Sequence, residues 1–247
     1  MPQDKGDSFF GPRPDVGTPE LQLPDELREP LRDHLEKLRE YYIQIDWAQR
    51  AGFGKRPALV VIDLALGWTQ PGSQMGSNVD PVVEATCDAL AAARQANIPI
   101  FFTSWDLDVH ELPELRPKKC ISDISESNAS LYDLDPRLER RPNEKLFLKR
   151  YASCFKGTNF HQMLTSLGVD TLIVTGLSTS HCVYATCRDA TECFHVIIPR
   201  EAVGERCEIM HMVNLVDMDI DLGDVMPLTD VINHLENLPL SDSSTPT

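Results

Sequence analysis

No stretch of this chain reaches the roughly 18 consecutive apolar residues that a membrane-spanning helix needs. No pair among its 7 cysteines has the C-x-x-C spacing of a zinc knuckle or a thioredoxin-like motif. Basic residues are scarce as well: 23 Lys and Arg stand against 38 Asp and Glu, for a formal net charge of −15. A surface that acidic repels phosphate backbones and anionic headgroups, so nucleic acid and membrane are not expected partners. Met1–Pro14 is polar and proline-rich and lacks an apolar h-region, so no secretory signal is expected there. With cysteines so irregularly spaced, reduced thiols in the cytoplasm are the expectation. There is no internal repeat and no sign of a second domain.

What is present suits one large α/β domain: 247 residues, 42% of them apolar. Residues 1–24, with Pro2, Pro12, Pro14, Pro19 and Pro24, read as a flexible arm or a surface-wrapping extension. Residues 25–240 read as the domain and 241–247 as a disordered tail. Leu27, Leu31, Leu35, Leu38, Tyr42 and Ile45 recur at helical spacing and predict an amphipathic helix over 25–50, packed on the outside of the domain or on another subunit.

Buried strands are expected at Ala58–Asp63, Ile98–Thr103, Glu144–Leu148, Thr171–Thr175 and His195–Pro199. Between them fall helix patterns. One starts with Asp80 as N-cap and Pro81 at the first helical position and runs to about Ala96. Another follows Thr158 or Asn159 and stops at Gly168. A third runs from Cys182 to about Cys193, and two more lie near Glu208–Asp217 and Thr229–Leu238. Leu64–Asn78 reads as a loop, and Ser104–Asn143, long and proline-punctuated, as a lid or binding element. Strands alternating with helices predict a single doubly wound, mostly parallel sheet flanked by helices on both faces.

Three chemically useful residues stand at carboxyl ends of these strands, where open α/β sheets place their sites: Asp63, Lys149 and Cys182. Each has a plainer reading too. Asp63 could be a helix cap or salt-bridge partner, Lys149 a lysine snorkelling at the sheet edge, and Cys182 a small buried hydrophobe. Taken together they make chemical sense. Cys182, at a turn-to-helix junction whose backbone N–H groups and positive dipole favour a thiolate, attacks a carbonyl. Asp63 takes the thiol proton and returns it to the leaving amine, while Lys149 supplies positive charge. Asp106, Asp108 and His110 alternate and could bind a metal, but alternating acids are more often a solvated face and no second histidine follows; no metal and no cofactor is assigned.

Several segments in the right order carry a resemblance. They are Ala51-Gly-Phe-Gly before Pro57-Ala-Leu-Val-Val-Ile-Asp63, Thr69-Gln-Pro-Gly-Ser73, Lys149-Arg-Tyr-Ala-Ser-Cys-Phe-Lys-Gly-Thr158, Gly168-Val-Asp-Thr171 and Gly176-Leu-Ser-Thr-Ser-His-Cys182. Pro199-Arg-Glu-Ala-Val-Gly-Glu-Arg206, His211, Asn214-Leu-Val-Asp217 and Asp224-Val follow. In these the chain resembles the isochorismatase-like cysteine hydrolases, and most of all their N-carbamoylsarcosine amidohydrolase branch; the lysine-to-cysteine spacing agrees as well. The resemblance implies a catalytic Asp63, Lys149 and Cys182 and a non-proline cis peptide at Leu177–Ser178. It implies an oxyanion hole from the Ser178 and Cys182 amides, and Thr179 and Arg206 at the polar end of the substrate. Arg206 could pair bidentately with a carboxylate or form an ordinary surface salt bridge.

The sequence departs from the family pattern at His181, where glycine is usual, at Cys154, where a small Ala is usual, and in the apolar Leu64-Ala-Leu-Gly-Trp68. These departures bear on the substrate more than on the chemistry, which makes His181 and Trp68 candidate substrate contacts. The implied function is a cysteine-dependent amidohydrolase. It would cleave a C–N bond of a small amide or N-carbamoyl compound through a thioester acyl-enzyme and release ammonia. A vinyl-ether hydrolase of the isochorismatase type needs the acid but not the thiol, and a non-catalytic partner-binding protein on the same fold needs neither. Relatives are usually homo-oligomers, so a dimer or tetramer is expected.

Overall fold

A run such as Ala58-Leu-Val-Val-Ile62 is apolar on both faces of a strand, so it can only be buried between two layers of helices. The computed structural model, which describes residues 8–11, 15–105 and 126–238, shows that arrangement. Its strands are β1 (Pro57–Ile62), β2 (Ile100–Trp105), β3 (Lys145–Lys149), β4 (Thr171–Leu177), β5 (His195–Pro199), β6 (Val203–Gly204) and β7 (Asp224–Met226). Its helices are α1 (Asp25–Gln44), α2 (Leu66–Thr69), α3 (Asp80–Gln95), α4 (Phe160–Ser166), α5 (Tyr184–Ala190), α6 (Glu208–Asp221) and α7 (Leu228–Glu236). The sheet runs β3-β2-β1-β4-β5-β7, with β6 paired to the end of β4, and the paired strands are parallel. The expected doubly wound α/β fold is therefore present.

Period-two alternation splits the core into two layers. Ala58, Val60 and Ile62 face α4, α5 and α6, through Phe160, Leu164, Cys187, Leu215 and Met218. Leu59 and Val61 face α3 and α7, through Val83, Leu90, Val231 and Leu235. The strand order changes direction between β1 and β4, and the crevice at their carboxyl ends is where such a sheet binds ligands.

Several boundaries differ from the sequence expectation. β4 does not stop before Gly176 but continues through it to Leu177. Gly176 has φ +107, and a Cβ there would lie 2.0 Å from the Ile62 carbonyl oxygen, so only glycine lets β4 pass β1 this closely. Cys182 is not the first residue of an α-helix: a π-helical turn, Thr179–Val183, comes first, and α5 ends at Ala190. Asp80 is not the N-cap of α3. Val79 holds that position, and the Asp80 side chain pairs with Arg137 at 2.7 Å. β2 lies two residues later than expected because Ile98 N bonds back to Ala93 O and closes off α3. β3 is an edge strand, with Leu146 and Leu148 exposed. β6 and β7 escape a pattern search because two and three residues carry no periodicity.

α1 ends at Gln44 rather than near Arg50, and Asp46 turns the chain at φ +59. It packs on α6 through Leu35, Met212 and Val216 rather than on the sheet. It leaves Leu27, Leu38 and Tyr41 exposed, and α6 leaves Ile209, Met210 and Val213 exposed. The described residues before α1 contact α1 itself and the approach to α3. Arg32 and Arg39 sit over the Phe10 and Phe9 rings at 5.5 and 4.6 Å, and Gly17 bridges Asn78. The expected tail 241–247 lies outside the described residues.

One buried carboxylate ties α1 to the fold. Asp219 of α6 accepts from Arg39 at 2.5 Å, Arg50 at 2.6 Å and the Val225 N–H at 2.9 Å. Removing it strands a partly buried guanidinium and a buried strand N–H. Asp219→Ala is expected to lower stability by about 3 kcal/mol, whereas Arg50→Ala, on the exposed side, costs less than about 1 kcal/mol. Urea denaturation midpoints of the two variants check the ordering.

Candidate active site

Asp63 is the first residue after β1, Lys149 the last of β3, and Cys182 sits in the turn after β4. All three are buried, at 2%, 1% and 6% exposure. The topology brings them together as expected. Asp63 has φ +52, a left-handed conformation that Asp tolerates better than most residues and that turns its side chain back over the sheet end. Lys149 Nζ donates to Asp63 Oδ2 at 2.6 Å, to Cys182 Sγ at 3.3 Å and to the Tyr151 carbonyl at 3.3 Å. These account for all three ammonium protons. The Trp105 ring lies 5.3 Å from Nζ and adds a cation–π contact.

Burial by itself would push the Lys149 ammonium down, but the charge of Asp63 outweighs it and holds the ammonium above its usual range. Burial also pushes the Cys182 thiol up, and the Asp63 charge pushes it further, to about 12; Lys149 offsets only part of this. Lysine and turn were expected to favour a thiolate; burial and the Asp63 charge act against them. Lys149 faces both Asp63 and the sulfur at 2.6 and 3.3 Å, so its charge is shared between them, and burial with the Asp63 charge favours the thiol form of Cys182.

The Leu177–Ser178 peptide is cis, as the resemblance implied. The Ser178 carbonyl accepts from the His181 and Val183 N–H groups at 2.9 and 3.2 Å. Thr179 is buried, with its hydroxyl 2.9 Å from His211 Nδ1. Trp68, on α2, packs 6.3 Å from Trp105 and so flanks the lysine. Arg206 follows β6; its Nη1 contacts Met75 Sδ at 3.6 Å, its Nε is buried without a partner, and among the described residues no carboxylate pairs with it. His181, by contrast, is half exposed and turns toward Ser180. Cys154 is fully buried, and its N–H reaches Thr186, whose hydroxyl in turn holds the Cys182 carbonyl.

Three further residues were not singled out as site residues from sequence. Thr103 on β2 donates to Asp63 Oδ1 at 2.7 Å and accepts from the Asp63 N–H at 3.2 Å. Glu205, buried after β6, accepts from the Ser180 N–H and hydroxyl at 3.2 and 2.6 Å and from the Arg206 N–H at 3.0 Å. Burial alone would raise its carboxyl, but bonds from His181 and Ser180 bring it below the usual range. Burial pushes the His211 imidazole down, to about 4. Position at a strand end signalled Thr103, and the quoted segments already held Glu205 and His211. Asp106, Asp108 and His110 lie outside the described residues; among the described residues no cluster of three His, Cys, Asp or Glu could hold a metal, and no helix is long and apolar enough to cross a membrane.

Residues 57–230 match the isochorismatase domain. The chain belongs to the isochorismatase family. It is 32% identical to the N-carbamoylsarcosine amidase of an Arthrobacter species over 224 residues, 87% of this chain and 85% of that one. It is 33% identical to the maleamate amidohydrolase of Pseudomonas putida over 198 residues, 78% and 92% of the two chains. Among solved structures, a cysteine hydrolase from Pseudomonas syringae pv. phaseolicola shares the fold. The TM-score is 0.69 at 19% identity, covering 74% of this chain and 94% of that one.

Two outcomes follow for the family site in this chain. Thr103→Val leaves Asp63 short of a bond inside the protein and is expected to cost roughly 2 kcal/mol in denaturant unfolding, with Thr103→Ser close to wild type. Because the Cys182 thiol is pushed up, its alkylation by iodoacetamide is expected to stay slow at neutral pH. It should rise only above the range of an ordinary thiol, about 8.5. The difference between wild type and Cys182→Ser, followed by mass spectrometry across pH, measures it.

Proposed function

We propose that this protein is a cysteine-dependent amidohydrolase that cleaves the C–N bond of a small amide or N-carbamoyl compound. The observation that carries the reading is the buried contact of one ammonium with both a carboxylate and a thiol, at the switch point of the sheet. That two relatives above 30% identity are named amidase and amidohydrolase supports the same reaction class.

The chemistry proceeds from the resting thiol. Substrate places its carbonyl carbon over Cys182 Sγ. Asp63 accepts the thiol proton as the sulfur adds, so a free thiolate never has to form in the closed site. The carbonyl oxygen becomes an oxyanion, held by the Ser178 and Cys182 N–H groups. Asp63 passes its proton to the nitrogen, the C–N bond breaks and ammonia leaves a thioester. Water then adds with Asp63 as base, the C–S bond breaks, and the sulfur recovers its proton as the acid departs. Lys149 keeps Asp63 oriented and balances its charge throughout. Arg206, with no carboxylate partner of its own among the described residues, receives an anionic end of the substrate, and Thr179 a polar one. Trp68 walls the pocket beside Trp105.

The reading extends to a homo-oligomer, dimer or tetramer, joined through the apolar face of Leu27, Leu38, Tyr41, Ile209, Met210 and Val213. A cytoplasmic, reducing compartment suits the free thiols of Cys154, Cys182 and Cys187.

Ammonia release from a panel of small amides, ureides and N-carbamoyl acids tests the mechanism. Wild type is expected to turn over at least one member, and Cys182→Ser, folded by circular dichroism, none. Turnover surviving in Cys182→Ser would sink the thioester route, and hydrolysis by that variant of a vinyl ether assayed beside the panel would move the reading to the isochorismatase type. Arg206→Ala is expected to raise KM about tenfold or more for a carboxylate-bearing substrate, leaving a neutral amide nearly unaffected.

A further inference from the structure

The residue before the nucleophile is a histidine whose protonation pattern can be worked out from its neighbours. Ser180 Oγ lies 2.6 Å from Glu205 Oε2 and 2.8 Å from His181 Nδ1. A hydroxyl has a single proton to give. Glu205 is 5% exposed and accepts the Ser180 N–H at one carboxylate oxygen and the Arg206 N–H at the other, bonds that favour the ionised form, which can only accept. The hydroxyl proton must therefore point at Glu205; pointed elsewhere, two oxygen lone pairs would face each other at 2.6 Å. Ser180 is left with a lone pair toward His181, and Nδ1 must carry the hydrogen that fills that contact. The backbone holds the arrangement in place, since the Ser180 N–H also bonds Glu205 and the His181 N–H bonds Ser178 O.

A neutral imidazole protonated at Nδ1 has its lone pair at Nε2. Nδ1 is engaged by Ser180 at 2.8 Å, and Nε2, across the ring, belongs to a side chain that is 48% exposed, one residue from Cys182. We propose that Glu205 and Ser180 lock His181 in the Nδ1–H tautomer, and that Nε2 thereby serves as a hydrogen-bond acceptor that selects carbamoyl substrates carrying an N–H beside the scissile carbonyl. This rests on the amidohydrolase reading for its substrate and on geometry alone for its tautomer. In this assignment His181 is a specificity determinant, and Ser180 and Glu205 are positioning residues that act through it.

Two measurements test it. Two-bond proton–nitrogen correlation spectra of protein labelled with nitrogen-15 histidine, at about pH 8 where an ordinary imidazole is neutral, read the tautomer directly; His181→Asn assigns the signal. The expected result is Nδ1–H in wild type and a shift to the Nε2–H form preferred by free histidine in Ser180→Ala, with Glu205→Gln as the alternative should Ser180→Ala not fold. An Nε2–H ring in wild type overturns the relay. The second measurement compares N-carbamoylglycine with N-carbamoylsarcosine, in which a methyl group replaces that N–H. Wild type is expected to prefer the former by about tenfold or more in kcat/KM, and His181→Gly to bring the ratio near unity. A ratio near unity in wild type, a ratio unchanged in His181→Gly, or hydrolysis of neither compound overturns the selection. Ammonia release from the wider amide panel, wild type beside Cys182→Ser, shows separately whether the amidohydrolase reading stands.

Discussion

Everything at the centre of this molecule depends on the ion pair between Lys149 and Asp63. Taking two charges out of water costs several kcal/mol each, and attraction repays that only when the geometry is close and the remaining donors and acceptors are filled. Here they are filled. Lys149 spends its three protons on Asp63, the Tyr151 carbonyl and Cys182, and Asp63 takes a further bond from Thr103. Because β1, β2 and β3 are neighbours in the sheet, the pair and the threonine that steadies it sit on three adjacent strands. The ion pair therefore reports the register of the whole left half of the sheet.

The same pair sets the state of the sulfur. A lysine near a cysteine would ordinarily lower the thiol pKa. In this site the ammonium is already matched by a carboxylate, and what remains for Cys182 is burial and a nearby negative charge, which both favour the neutral thiol. In the proposed mechanism, nucleophile activation then belongs to the moment of attack, with the proton moving to a carboxylate already in place. A closed, apolar setting makes that transfer the cheaper route, because separated charge is most expensive where water is absent.

Around this centre the fold supplies a tight passage and a tether. Gly176 lets β4 run against β1, which carries the cis peptide and the π-helical turn to the sheet edge. Glu205, from the short β6, reaches back to hold that turn by Ser180. Thr179 is held in turn by His211 of α6. The turn that bears Cys182 is thus fixed from both sides by buried polar contacts, and α6 is itself clamped to α1 through Asp219.

The fold class, the central strands and the convergence of Asp63, Lys149 and Cys182 were legible in the sequence by itself. Apolar runs and strand-end chemistry are local signals, and a doubly wound sheet brings its carboxyl ends to one edge. Tertiary structure alone decided the rest. β6 and β7 are too short to show a period, and Asp80 prefers Arg137 to its own helix end. Thr103 and Glu205 matter only through partners 40 and 25 residues away. The polar neighbours of the Cys182 sulfur and of the His181 ring are set by distances no spacing in a sequence encodes.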